Sequence, residues 1–257
     1  MAAFVSVSVS PARVLKLLAG IIVVLLILSL IGQYARFVLG HGRLLGFVPE
    51  FDVDEENNIP TYVSMLMLLG ASGGLAVIAQ WVRTTGRPFQ RHWWGLAGLF
   101  AYLSVDEMAS LHERLADLPF LPETTGLFHY AWVIPGMLLV ALFAVAYLRF
   151  FWHLPARWKG LFAGAAVLFV GGALGIEMLG GLYASLHGEL HFGHALILTA
   201  EEGFELFGVA LFVYAVLDYL QAHGIALQVR VGPADGGEVA DDAGHVSVVN
   251  QASASRP

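Results

Sequence analysis

The sequence predicts an all-α, polytopic membrane protein: a bundle of six transmembrane helices with both termini on the cytoplasmic side. Three observations lead to this prediction. Hydrophobic residues make up 58% of the 257 residues and charged residues only 13%, whereas soluble domains carry roughly 25% charged residues. The chain contains six apolar stretches of about 20 residues, the length that crosses ~30 Å of hydrocarbon as a helix. Lysine and arginine alternate between successive loops, which assigns each loop to one side of the membrane.

Each of the six predicted spans is recognised by its apolar run and flanking residues. The first follows Arg13 and Lys16 and is too long for the apolar region of a cleaved signal peptide, so we interpret it as an uncleaved helix. The second begins at residues 57–60, Asn-Asn-Ile-Pro, a sequence typical of a helix N-cap followed by proline. In the fifth, Gly171 and Gly175 favour close helix packing. The predicted spans are residues 14–37, 61–81, 93–115, 128–148, 161–186 and 199–220.

Orientation follows from the basic residues. Ten of the 13 lysines and arginines lie in the N-terminal tail, in the loops after the second and fourth spans, and in the C-terminal tail. Basic residues are enriched in cytoplasmic loops, so the sequence predicts a bacterial-type inner (plasma) membrane protein with both termini cytoplasmic. Trp132 and other aromatic residues near the predicted interfaces are interpreted as an aromatic belt.

The chain divides into a short cytoplasmic N-terminal tail (residues 1–13), a transmembrane domain (14–220) and a cytoplasmic C-terminal tail (221–257). The C-terminal tail has no apolar periodicity and is predicted to be disordered. The formal charge of −7 argues against nucleic acid as a partner. The chain has no cysteine, which excludes disulfides, Cys-ligated zinc and iron–sulfur clusters. The predicted partner is the lipid bilayer, with a homo-oligomer or another membrane protein as an alternative.

Acidic residues are concentrated on the predicted outer side, with 15 of 20 located there. Asp106, Glu177 and Glu205 lie in three different spans, each about 22–27 Å above the inner boundary at ~1.5 Å per residue. Ionisable groups at this depth cost at least ~2–3 kcal/mol each, so we expect them to face the bundle interior or a water-filled cavity. No lysine or arginine occurs between Lys159 and Arg230. Glu177 and Glu205 therefore need a proton, a basic partner from another segment or a bound cation.

These positions predict a cation- or proton-binding site near the outer face. Asp106 and Glu113 share one face of the third span, and Glu201 and Glu205 share one face of the sixth. We expect the two faces to meet, with Glu177 nearby. The bound species would be a proton or a hard divalent metal such as Ca²⁺, which prefers oxygen ligands. At the mouth of this site we expect His112 and His129.

The sequence also contains a second metal-binding pattern. His187 and His191 are four residues apart, a spacing that could hold Zn²⁺ if the segment were helical. Two glycines in the same segment argue against a helix, and it could equally be an interfacial loop. Downstream, Thr199-Ala-Glu-Glu202 matches a capping box, which offers Glu202 a purely structural role at the start of the last helix.

Three segments carry a resemblance: Phe-Asp-Val-Asp-Glu-Glu-Asn-Asn-Ile-Pro-Thr at residues 51–61, Ser-Val-Asp-Glu-Met-Ala-Ser-Leu-His-Glu at 104–113, and Glu-Glu-Gly-Phe-Glu-Leu-Phe-Gly at 201–208. They resemble a group of bacterial multi-pass membrane proteins that have no assigned activity. The similarity covers most of the chain from about residue 30 to 220 and implies no particular reaction.

A looser likeness is to membrane metal-hydrolases of the alkaline ceramidase type. Those enzymes combine a serine and an aspartate on one helix with His-x-x-x-His on another. This chain departs from their pattern because its His-x-x-x-His precedes the last helix and lies among glycines. The residues that could imitate the set are Ser104, Asp106, His112, His187 and His191.

Three functions are therefore open at the level of sequence. The first and favoured one is a cation- or proton-handling membrane protein, engaged in transport or sensing and not an enzyme. The second is a metal-dependent lipid hydrolase, with His-bound Zn²⁺ activating water and a carboxylate as base. The third is a non-catalytic membrane scaffold in which buried acids serve packing and partner binding.

Overall fold

The computed structural model describes residues 9–111, 124–229 and 246–250. These residues are predominantly helical, with one pair of short strands. The helices are α1 (Pro11–Phe37), α2 (Phe47–Phe51), α3 (Ile59–Thr84), α4 (Gln90–Ala109), α5 (Val133–His153), α6 (Ala156–Val170), α7 (Glu177–His187) and α8 (Phe192–Ala222). A π-helical segment, Gly171–Ile176, joins α6 to α7, and short 3₁₀ turns precede α2 and α5.

Strand β1 (Ile225–Val229) follows α8 and pairs antiparallel with β2 (Val246–Asn250), with Ile225 opposite Asn250. Both strands fall within residues 221–257, for which we predicted a disordered tail. In these two stretches the backbone is extended and paired. The rest of the tail after β1 lies outside the described residues, and for it disorder stays a prediction.

Five helical segments within the described residues are long and apolar enough to cross a membrane: α1, α3, α5, the continuous α6–α7 unit and α8. They correspond to five of the six predicted spans. The third predicted span, residues 93–115, corresponds to α4, which is shorter and carries Arg91, Asp106 and Glu107. It ends at Ala109 because Ser110 adopts a left-handed conformation, with φ of 48°. The number of crossings and their orientation stay predictions.

Helix α3 begins as its sequence predicts. Asn58 is the N-cap, its side-chain oxygen accepts a hydrogen bond from the Thr61 N–H at 3.2 Å, and Pro60 lies in the first turn. The side-chain amide of Asn58 also donates to the carbonyl oxygen of Asp52 at 2.6 Å. This second bond ties the preceding loop to the start of the helix.

The loop between α1 and α3 folds against α1. Asp52 is buried, with 2% of its surface exposed, and the Val53 N–H donates to Ser29 Oγ of α1 at 3.2 Å. Arg36 forms ion pairs of 3.6 Å with both Asp52 and Glu55. Burial nevertheless raises the pKa of Asp52 above its ordinary value, because desolvation outweighs the neighbouring donors and Arg36.

Helix α8 is the centre of the bundle. Of its most apolar stretch, 56% is buried by other helices, compared with 11% for α5, so α5 is peripheral and α8 is surrounded. Helix α8 packs against α1, α3, α6 and α7, while α4 packs mainly against α3. Its residues contribute to two hydrophobic clusters. One centres on Leu75, Trp81, Trp93, Phe212 and Val216, and the other on Ile22, Leu68, Leu206 and Val209.

Candidate functional site

Two acidic side chains meet in the interior of the bundle. Glu177, the first residue of α7, and Glu201, in the third turn of α8, are 8% and 6% exposed. Their carboxyl groups lie close enough to interact directly. Two ionised carboxylates have no donor to share, so a hydrogen bond between them would require a proton on one of them. We call these two residues the carboxyl pair.

The π-helical segment before Glu177 brings the two helices together. Gly172 has no side chain, and a methyl group placed there would lie 2.8 Å from the carbonyl oxygen of Glu201 and 2.8 Å from Cγ of Glu205. The α6–α7 backbone therefore touches α8 directly beside the carboxyl pair. Insertions of π-helix are frequent at functional sites. Gly171 and Gly175, the glycines that we predicted to mediate close packing, have no atom within 4 Å of such a methyl group.

The carboxyl pair has one strong donor and one open acceptor. The indole N–H of Trp132 donates to Glu177 Oε1 at 2.9 Å, so Trp132 contributes to the site and is more than part of an aromatic belt. Glu201 Oε2 is buried and accepts no hydrogen bond from the described residues. Neither member of the pair forms an ion pair with lysine or arginine in the part of the chain that the structure describes.

Further acids surround the pair. Glu205 follows Glu201 by one turn of α8 and interacts electrostatically with both Glu201 and Glu202. Glu202 in turn interacts with Glu107 of α4 and with Asp54 of the loop before α3. Acidic groups from four parts of the chain thus interact with one another near the carboxyl pair.

Helix α4 contributes Glu107, which interacts with Glu202. Asp106 is buried and accepts a hydrogen bond from Tyr102, one turn earlier on the same helix. That Asp106 faces Glu201 and Glu205 stays a prediction. Glu113 and His112 lie outside the described residues, so their predicted roles stay predictions.

A histidine and a tyrosine lie beside the carboxyl pair. His194 is 4% exposed, and its Nε2 is 3.2 Å from the hydroxyl oxygen of Tyr130. The ring also hydrogen-bonds the backbone carbonyl of Glu189 and interacts electrostatically with Glu177. His194 precedes Glu201 by seven residues, which places both on one face of α8. That spacing was a usable sequence signal, whereas the contact with Tyr130 was not.

The other predicted metal ligands take separate positions. His129 pairs with Glu189 at 3.1 Å. Helix α7 ends at His187, and Gly188 turns the chain with φ of 83°, so His187 and His191 do not share a helix. Both contact Tyr183 instead, with a Tyr183 hydroxyl to His191 Nδ1 distance of 2.8 Å. Among the described residues no group of three or more His, Asp or Glu side chains is arranged to hold a metal ion.

The capping-box interpretation of Thr199 and Glu202 was wrong. Helix α8 begins at Phe192, with His191 as its N-cap, so Thr199 lies two turns inside it. The Thr199 hydroxyl donates to the carbonyl oxygen of Ala195 at 2.8 Å. Glu202 is therefore an interior helix residue and does not cap α8. Its interactions with Glu107 and Asp54 are contacts between the helix and other parts of the chain.

The serine and aspartate of the hydrolase comparison are also occupied elsewhere. Ser104 is 4% exposed, and its hydroxyl donates to the carbonyl oxygen of Met65 on α3 at 3.0 Å. This bond joins α4 to α3. Ser104 contacts Met65, whereas His187 and His191 both contact Tyr183, so these contacts do not join the serine to the two histidines.

Chemically, the arrangement is a buried pair of acids, with an indole donor on one side and an imidazole–phenol pair close by. Such a pair can hold a proton between its two carboxyl groups. When both acids are ionised, their oxygens suit a hard cation.

Comparisons with known proteins place the chain in a family. Neither the curated proteins nor the solved structures include a significant match. A model of the family described as "Domain of unknown function (DUF8692)" matches residues 17–219. The match spans the predicted transmembrane domain almost completely and agrees with the resemblance to proteins of no assigned activity. The chain therefore belongs to this uncharacterised family, DUF8692.

Proposed function

We propose that this protein is a multi-pass inner-membrane protein that binds and releases a proton at the carboxyl pair, in the course of transport or sensing. The observation that carries the proposal is the close approach of Glu177 and Glu201, both buried, with the Trp132 indole N–H donating to Glu177. Acidic groups inside membrane spans are costly and mark ion or proton pathways. A proton shared between the two groups would reduce that cost.

A hard cation is the natural competitor for that proton. Glu201 Oε2 is an open acceptor, and Glu205 lies one turn away. Loss of the shared proton would leave two adjacent negative charges, which strongly favour either reprotonation or a bound cation. The proposal therefore includes proton release when a cation binds. A coupled exchanger would release its proton in this way, whereas a pure proton sensor would not respond to the cation.

His194 and Tyr130 offer the pair a route to the outer surface. His194 interacts with Glu177 and with Glu189, Tyr130 contacts His194, and Glu189 pairs with His129. Imidazole and phenol groups can each accept and donate a proton. On the proposed orientation, this end of the bundle faces away from the cytoplasm, so exchange takes place with the outer compartment.

Infrared difference spectroscopy of the purified protein tests the proton. Protonated and ionised carboxyl groups absorb at separate frequencies, so a pH step should reveal the carboxyl pair as it loses its proton. We expect the protonated-carboxyl signal to disappear in Glu201→Gln and Glu177→Gln. Glu50→Gln is the matched control, because Glu50 is exposed on α2, and it should retain the signal.

The same measurement decides about the cation. At constant pH, added Ca²⁺ should reduce the protonated-carboxyl signal in the wild-type protein if a hard cation displaces the proton, and leave it unchanged if the site takes a proton alone. A signal that persists unaltered in both Glu201→Gln and Glu177→Gln would remove the basis of the proposal.

Cysteine accessibility tests the proposed topology. The natural chain has no cysteine, so single substitutions can be labelled without background. With six spans and cytoplasmic termini, Thr85→Cys should react only from the cytoplasmic side, while Glu55→Cys and Thr125→Cys should react only from the outside. If α4 does not cross, Thr85→Cys and Thr125→Cys will be labelled from the same side.

A further inference from the structure

A cavity lies at the opposite end of the bundle from the carboxyl pair. Its volume is about 170 Å³, enough for several water molecules. It opens where α3, α5 and α8 end and where α4 and α6 begin. Its polar lining consists of Arg87, His153 and His223, and its walls include Phe89, Trp93 and Tyr219.

The charge of this cavity is positive. The Arg87 guanidinium lies over the Trp81 indole at 4.4 Å from the ring centroid, and it forms no ion pair with an acid among the described residues. Asp218, which precedes the lining residue Tyr219, is bound by Arg157 and by the Trp158 indole N–H. Its charge is therefore satisfied outside the cavity.

The two histidine rings of the cavity pack against aromatic neighbours. Not all of their ring nitrogens are used in hydrogen bonds within the described residues. His223 stacks on Tyr219 at 4.1 Å and contacts Trp81 at 5.2 Å, and one ring nitrogen bonds the Tyr219 carbonyl oxygen. His153 contacts the Phe89 ring at 4.9 Å. Imidazoles fixed in this way can donate hydrogen bonds to an anion beside the guanidinium.

Two helix starts add to the positive potential. The residues that precede α4 and α6, Phe89 and Pro155, both line the cavity. Neither supplies a side-chain cap to its helix. The first N–H groups of a helix and its dipole favour anions, which reinforces the charge of Arg87 without being the basis of the site.

We propose that this cavity binds a phosphate-bearing anion, in which the phosphate lies between Arg87, His153 and His223 and an adjoining apolar portion packs on the aromatic wall. Arginine pairs well with phosphate through its planar fork of donors. Two sources share this chemistry: the headgroup of an anionic phospholipid, and a soluble phosphate ester. The inference concerns a different site from the carboxyl pair and does not depend on the proposed proton chemistry.

Native mass spectrometry of the full-length protein in detergent tests this site. Phosphatidylglycerol is titrated against phosphatidylcholine, whose headgroup has no net charge. We expect phosphatidylglycerol to bind about tenfold more tightly, and Arg87→Gln to abolish that preference. Arg83→Gln is the matched control, because Arg83 is an exposed residue in the last turn of α3 that does not line the cavity; it should preserve the preference.

Two further measurements identify the source of the phosphate and allow for the case that Arg87→Gln does not fold. Displacement of the lipid by glycerol 3-phosphate would assign the site to soluble phosphate esters, and its failure to compete would assign it to a lipid headgroup. His153→Gln is expected to weaken binding even if Arg87→Gln does not fold. Equal losses in Arg83→Gln and Arg87→Gln, or no loss in either Arg87→Gln or His153→Gln, would overturn the inference.

Discussion

Gly208→Ala should destabilise the protein by at least about 1–3 kcal/mol, the usual cost of forcing extra volume into a packed interior. A methyl group at Gly208 of α8 would lie 2.7 Å from the backbone nitrogen of Phe169 and 3.0 Å from its Cα. Both are backbone atoms of α6, so neither can rotate away. The two helices would have to separate, and α8 is the helix around which the others pack.

The measurement is unfolding of the purified protein in detergent, by heat or by denaturant. Gly164→Ala provides the control, because Gly164 lies on the α6 side of the same helix pair. A methyl group there would have an ordinary contact of 3.5 Å with the Leu211 side chain. Alanine also favours helix over glycine by up to ~1 kcal/mol, so Gly164→Ala should be neutral or stabilising. Equal stability of the two variants would contradict the close contact between α6 and α8.

Gly172→Ala should have the largest effect on the candidate site. The added methyl group would lie 2.8 Å from the Glu201 carbonyl oxygen, so α8 must move away from the π-helical segment at the residue that forms the carboxyl pair. We expect the Glu177–Glu201 contact to break or lengthen, together with a destabilisation of about 1–3 kcal/mol. In the infrared experiment, the protonated-carboxyl signal should then change in frequency or be lost.

Gly175→Ala is a closely matched control for this change. It lies in the same π-helical segment, and a methyl group there would meet no atom within 4 Å. We expect it to retain both the stability and the carboxyl signal of the wild-type protein. If Gly172→Ala behaves like Gly175→Ala, then the direct contact between the π-helical segment and α8 does not position the carboxyl pair.

Much of the helical architecture was predictable because it depends on local properties. Apolar runs of about 20 residues identified five long helical segments, and the Asn-Pro signal located the start of α3 at Asn58. The start of α8 was misplaced by seven residues, from Thr199 to Phe192. A capping-box sequence inside a longer helix looks the same as one at a real N-cap. The sequence of residues 192–198 alone does not show that they already belong to the helix.

The candidate site was predictable only in part. Depth along each helix predicts one common level for Asp106, Glu177 and Glu205, because helical rise is constant. Rotation about each helix axis is harder to predict, and the interaction of Glu107 on α4 with Glu202 on α8 was not among our expectations. On α7 the difficulty is greater, because the π-helical segment before it changes the direction of the side chains that follow, including Glu177.

By itself, the sequence determined that the chain is built from apolar helices of membrane-spanning length, and it predicted costly acidic groups at a common depth within them. These properties follow from composition and from the fixed geometry of a helix. Only the tertiary structure decided which acids touch, that Trp132 and His194 join them, and that Gly172 is the point of contact. The physical reason is that a hydrogen bond between two helices depends on their rotation and separation, which are set by packing between residues distant in the chain.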